Sequence, residues 1–236
     1  MKKLFEVEWK KQSLIIIALP MIVGPLLISL IFYFLLIYLS ENGQVEQPWM
    51  SIYELIKMNW SYIIITIVII FSAVVVDIEH KFGMWPRLLT FPHQKWKLFL
   101  VKLIWIITPV QAFGILTWFS ISTISLFYTE YQLDSFKVLG SLIYVPFIFA
   151  TPFIIVQTLI SIVIENTFVS IGIGMSIFLF HKVLSFWWLP WGPLLCAVNG
   201  DACENISLPV FLLLIISYSI FSLLVFYKKS FSSGVE

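Results

Sequence analysis

The side chains of this 236-residue chain that could do chemistry are few. They are three histidines (His80, His93, His181), two cysteines (Cys196, Cys203), two glutamines inside apolar runs (Gln111, Gln157), and the polar, basic stretch DIEHKFGMWPRLLTFPHQKWK from Asp77 to Lys97. No Walker A pattern, Gly-x-Ser-x-Gly, His-Glu-x-x-His or Cys-x-x-Cys is present, so neither nucleotide hydrolysis nor a familiar hydrolase or metal site is written here. Catalytic residues and metal ligands are therefore both expected to be none. The apolar runs carry no Asp, Glu, Lys or Arg away from their ends, which argues against a proton- or sodium-driven carrier, because such carriers need ionisable groups or broken helices near the midplane. Gln111 and Gln157 remain. An amide in hydrocarbon costs free energy unless paired, so each either bonds across helices or lines a substrate path, together with Trp187 and Trp188.

The elements that must position these residues are membrane spans. Hydrophobic residues make up 60% of the chain and charged residues 11%, against roughly 25% charged in ordinary globular chains. Six blocks are long enough to cross a bilayer: 14–39, 60–76, 98–128, 139–164, 168–189 and 208–227. They are apolar all round, unlike the short alternating strands of a barrel, so the fold class is an all-α integral membrane protein with six transmembrane helices. The first block follows a basic start but is too long, and lacks the small-residue site, for a cleaved signal, so it is expected to be retained; Pro20 and Pro25 should kink it.

Orientation follows from lysine and arginine. With the N-terminus cytoplasmic, eleven of the fourteen fall inside and only Lys57, Lys137 and Lys182 outside, which fixes both termini and the 77–97 loop in the cytoplasm. The segments 41–57, 129–140 and 191–207 are then external. His80, His93 and His181 are divided between the two faces, which removes a shared metal site. Cys196 and Cys203 lie together outside, either joined as a disulfide or as two separate buried thiols. The gaps hold no second domain, so residues 1–236 are expected to form a single transmembrane domain. Residues 1–13 place Leu4, Phe5, Val7 and Trp9 among lysines and glutamates, as an amphipathic interfacial helix would. Ser170, Gly172, Gly174 and Ser176 form two overlapping small-xxx-small pairs, the signature of close helix packing or of a subunit interface. Trp187, Trp188 and Trp191 with Pro190 and Pro193 read as an interfacial aromatic belt.

In the 77–97 loop, Glu79, Lys81 and Arg87 alternate with Phe82, Met84, Trp85, Leu88, Leu89 and Phe91. A cluster of apolar groups this dense is covered by membrane or by protein. The pattern Glu79-x-x-x-Gly83-x-Trp85-x-x-Leu88-Leu89-x-x-Pro92, followed by Lys97 and Lys102 and preceded by the amphipathic N-terminus and six-span layout, resembles permease subunits of ABC-2 type transporters, in particular the small ones of lantibiotic self-immunity and antimicrobial-peptide efflux. The resemblance implies a coupling helix between helices 2 and 3 in which Glu79, Phe82, Gly83, Trp85, Arg87, Leu88 and Leu89 engage a cytoplasmic ABC ATPase dimer. Pro86 is accommodated if the helix starts there.

It further implies a second permease chain, identical or paralogous, an amphipathic peptide substrate and a bacterial plasma membrane. No cofactor is bound by this chain, ATP and Mg sitting on the partner subunit, and no nucleic acid is expected. The expected function is the membrane-spanning subunit of an ATP-binding cassette exporter, not itself an enzyme. The competing readings are a non-transporting scaffold that recruits a cytoplasmic partner through the same loop, and an intramembrane enzyme, which the absence of paired carboxylates or a Ser-His pair disfavours.

Overall fold

The computed structural model describes residues 14–41, 48–81, 95–128, 137–180, 183, 186–199 and 207–232. Among the described residues the regular structure is helical, joined by short turns, and there is no strand. In chain order the helices are α1 (Leu14–Glu41), α2 (Pro48–Lys81), α3 (Lys95–Tyr128), a π-helical turn (Gly140–Tyr144), α4 (Val145–Phe149), α5 (Thr151–Val163), α6 (Thr167–Phe180), α7 (Gly192–Asn199) and α8 (Leu208–Ser232). Four stretches have the length and composition to cross a membrane: Ile56–Ile78, Trp96–Ile124, Lys137–Val163 and Leu208–Lys228. Two shorter apolar helical stretches, Leu19–Leu35 and Thr167–Ile177, accompany them.

Helix α2 is the core of the bundle. Trp60, Ile64, Ile65, Val68, Ile69 and Val76 are each 0% exposed, and α1, α3, the π turn, α4, α5, α6 and α7 all pack against it. Helix α8 lies at the edge on α5 and α3. Leu212, Leu213, Ile216, Ile220, Phe221 and Leu224 cover its outer face in exposed positions. In water such a face would aggregate; in lipid it is ordinary.

The Lys137–Val163 stretch is not one regular helix, and two prolines explain why. Pro146 has no N–H to offer Leu142, and the backbone widens into the π turn, where the Val145 N–H reaches back to Gly140 O. Pro152 likewise denies a donor to Ile148 O, which instead accepts from Thr151 Oγ1 at 2.6 Å. The neighbouring helices supply further donors: Trp60 Nε1 donates to Ile143 O at 2.9 Å and Gln111 Nε2 to Phe147 O at 2.8 Å. Close approach at this break requires Gly114, where an added Cβ would lie 2.7 Å from the Phe147 ring.

Several boundaries differ from the sequence expectation. Helix α2 starts at Pro48, twelve residues before the expected span, so most of the anticipated outer stretch 41–57 is helical. The fifth block ends as a helix at Phe180 instead of continuing to Leu189. The anticipated loop 191–207 contains α7, whose Leu194, Leu195, Cys196 and Val198 are buried. The expected interfacial helix 1–13 and residues 82–94 of the loop lie outside the described residues.

Trp60→Phe removes the indole donor from Ile143 O and leaves a smaller ring in a full core. It should destabilise the purified protein by about 1–3 kcal/mol, read as a lowered midpoint of thermal unfolding in detergent.

Candidate functional site at the root of the 82–94 segment

The last turn of α2, Asp77 to Lys81, leads directly into the segment expected to engage a cytoplasmic partner. Two of its side chains, Asp77 and His80, reach other helices. Asp77 pairs with Lys81 at 2.6 Å across one helical turn and accepts a hydrogen bond from Thr167 Oγ1 at the start of α6. The carboxylate thus sits by the N-terminus of α6, where the helix dipole favours negative charge. That N-terminus is capped by Asn166, whose Oδ1 accepts from Phe168 N at 3.0 Å and Val169 N at 3.4 Å.

One residue before Lys81, His80 reaches the end of α5. Its Nε2 lies 3.0 Å from Ser161 O. A carbonyl can only accept, so Nε2 carries the proton in this contact. Ser161 O is among the last carbonyls of α5, which ends at Val163, and such groups have no intrahelical donor. From the other side Lys102 of α3, 3% exposed, donates Nζ to Val75 O at 3.1 Å. The root of the segment is therefore tied to α3, α5 and α6 together.

A second polar tier lies one turn deeper. Ser161 Oγ and Ser170 Oγ are 2.9 Å apart, and Gln157 Nε2 donates to Ser170 O at 3.4 Å. Gly174 permits this contact, because a Cβ there would stand 2.8 Å from Ile69 Cγ1 and 3.0 Å from Gln157 Nε2. The two small-xxx-small pairs separate accordingly: Ser170 and Gly174 close α6 onto α2 and α5, whereas Gly172 and Ser176 face outward. Phe99 at the start of α3 meets Phe226 near the end of α8 with ring centroids 5.6 Å apart. That contact brings the C-terminal end of α8 to the end of the bundle where Lys97 and Lys102 sit.

The sequence-derived residues fall in different places. Glu79 stands in the last turns of α2, while Phe82, Gly83, Trp85, Arg87, Leu88 and Leu89 lie outside the described residues. Gln111 and Gln157 each commit their amide nitrogen to a backbone carbonyl, at the break in the Lys137–Val163 stretch and at the start of α6 respectively. Their Oε1 atoms are buried without a partner among the described residues. Trp187 and Trp188 are exposed, and Tyr218 Oη holds their turn to α8 by donating to Trp188 O at 2.6 Å. Cys196 is buried beside Phe149 and Phe211; Cys203 lies outside the described residues.

No group of three His, Cys, Asp or Glu among the described residues could hold a metal. Sequence reasoning missed Thr167 and gave His80 no role. An Asn-Thr pair before an apolar run signals the α6 cap, but the bond from Thr167 to Asp77, ninety residues apart, has no sequence signature.

A family profile described as ABC-2 family transporter protein matches residues 4–181 of the chain. No curated protein and no solved structure matches it.

If the Asp77–Thr167 bond fastens α2 to α6, the two positions are energetically coupled. A double-mutant cycle of Asp77→Asn and Thr167→Val should return a coupling of about 1 kcal/mol, measured as thermal stability in detergent; additive losses would contradict the contact.

Proposed function

The chain belongs to the ABC-2 family of transporter proteins, and from that premise we propose that it is the membrane-spanning permease subunit of an ATP-driven exporter whose energy enters through the 82–94 segment. It is a multi-pass protein of the cell membrane, and the family implies a partner ATPase. In the proposed arrangement α1 and α6 join the four longer stretches as six spans, with both termini and the 82–94 segment in the cytoplasm. The lysine and arginine count supports that orientation. The chain binds no nucleotide and no cofactor; ATP and Mg are held by the partner. Trp85, Leu88 and Leu89 anchor a coupling helix in the ATPase groove, while Glu79 and Arg87 fix its register.

The observation that carries this reading is the polar root of the segment. A loop that merely joined two spans would have no need of a buried lysine, a histidine on a helix-terminal carbonyl and an aspartate on the cap of a third helix. A loop that must move helices needs a rigid attachment to them. Because Asp77 and His80 grip α5 and α6, a displacement of the loop by the ATPase is delivered to the α5–α6 pair and to α2 at once, as a rigid-body shift. The cargo in this proposal is an amphipathic peptide of the antimicrobial, lantibiotic-like class, taken from the membrane or its outer surface by a pair of permease chains, identical or paralogous. The apolar, aromatic walls of the spans support a substrate of that character.

Co-expression with its ATPase should give a complex stable in detergent. The triple substitution Trp85→Ala, Leu88→Ala, Leu89→Ala should abolish co-purification while leaving the permease in the membrane. An intact complex would remove the coupling role of the segment.

A further inference from the structure

Between α1 and α2, over the ring of Phe113 on α3, lies an elongated groove of about 660 Å³. We propose that it is a binding site for an acyl chain of a membrane phospholipid, held between these helices as a fixed part of the structure. On α1 the groove runs from Leu19 to Ile28 and on α2 from Tyr62 to Phe71, nine residue steps on each, or about 14 Å of helix. The α2 portion lies in the middle of the Ile56–Ile78 stretch, so the groove sits at the depth of hydrocarbon, not of headgroups. It exists because α1 leans on α3 and not along α2: Gly24 lies so close to Phe113 that a Cβ there would collide with its ring.

The walls select the occupant. They are apolar, with Leu19 and Leu27 on one side, Ile63 and Ile70 on the other, and the rings of Phe71 and Phe113 among them. The Thr66 hydroxyl is turned to its own backbone, donating to Tyr62 O at 2.8 Å. Apart from the Tyr62 side chain at one end, water has nothing to bond to in such a space and stays out. An empty space would forfeit the dispersion contacts of every wall atom. The lysine-bearing segment 1–13 would have to bring charge to the bilayer centre. A helix from a second copy would meet bulky rims at Leu19, Leu27 and Ile70, whereas close helix pairs in membranes meet at small residues. A flexible hydrocarbon chain fits both the shape and the chemistry. This assignment requires only that the chain is embedded in a bilayer, and it stands apart from the transport reading.

The test uses the full-length protein reconstituted in phosphatidylcholine vesicles and then exchanged exhaustively into lipid-free detergent. A benzophenone-bearing phenylalanine placed at position 67 should still cross-link to phospholipid, about fivefold more than the same probe at position 213 on the outer face of α8, because a seated chain leaves slowly. Thr66→Trp, which fills the groove, should reduce the phospholipid that co-purifies with each chain. Equal lipid cross-linking at positions 67 and 213, or cross-links from position 67 to residues 1–13 or to a second copy of the chain, would overturn the assignment. Unchanged co-purifying phospholipid in a folded Thr66→Trp protein would do the same.

Discussion

A peptide carbonyl inside a bilayer has no water to accept from, so every departure from regular helix there must be met by a donor from the protein. Much of this structure follows from that constraint. The Lys137–Val163 stretch carries Pro146 and Pro152, and each removes a backbone donor. The chain answers with a π turn, with the hydroxyl of Thr151 on Ile148 O, and with donors from Trp60 and Gln111 on two other helices. Those donors fix where α2 and α3 stand relative to the break. Buried hydroxyls elsewhere follow the same rule by bonding within their own helix, as Thr117 does to Phe113 O and Thr158 to Ile154 O.

The same rule shapes the root of the 82–94 segment. A helix that ends near a membrane surface leaves carbonyls and N–H groups without intrahelical partners. Here Asn166 accepts from the first N–H groups of α6 within its own turn and His80 of α2 serves a terminal carbonyl of α5, while the Thr167 hydroxyl at the start of α6 donates to the Asp77 carboxylate of α2. A requirement of local structure thus becomes a mechanical link. Asp77 and His80 join the end of α2 to the α5–α6 turn, and Lys102 bonds the same part of α2 to α3. In the proposed arrangement, this is where force from a partner ATPase would be spread over several helices.

How much of this was legible in the sequence depended on the length scale of each signal. The helical class and the approximate placement of spans follow from long apolar runs, which nothing else in the chain resembles. The two glutamines were expected to bond across helices or to line a substrate path; which carbonyls their amide nitrogens meet, Phe147 O and Ser170 O, depends on tertiary placement that hydropathy cannot see. The early start of α2 was missed because Glu54 and Lys57 lower the local hydropathy, while a helix tolerates both where it emerges from the membrane. Helix α7 was missed because Trp191, Pro193 and Asp201 read as loop punctuation, yet Pro193 falls in the first turn of the helix, where proline is favoured. The tie from Thr167 to Asp77 is a tertiary contact between single polar residues. No periodicity announces such a contact, so the sequence pointed to the segment without showing what its root is fastened to.

The central claim is that displacement of the 82–94 segment reaches α6 through Asp77 and Thr167. The most direct measurement is a pulsed electron-resonance distance between spin labels at the exposed positions 30 on α1 and 173 on α6. Cys196 and Cys203 would be replaced by alanine, and the complex with the ATPase measured with and without ATP. The account predicts that ATP shifts this distance in the otherwise native chain and shifts it markedly less in Thr167→Val, with the ATPase still bound. An equal shift in both proteins would contradict it.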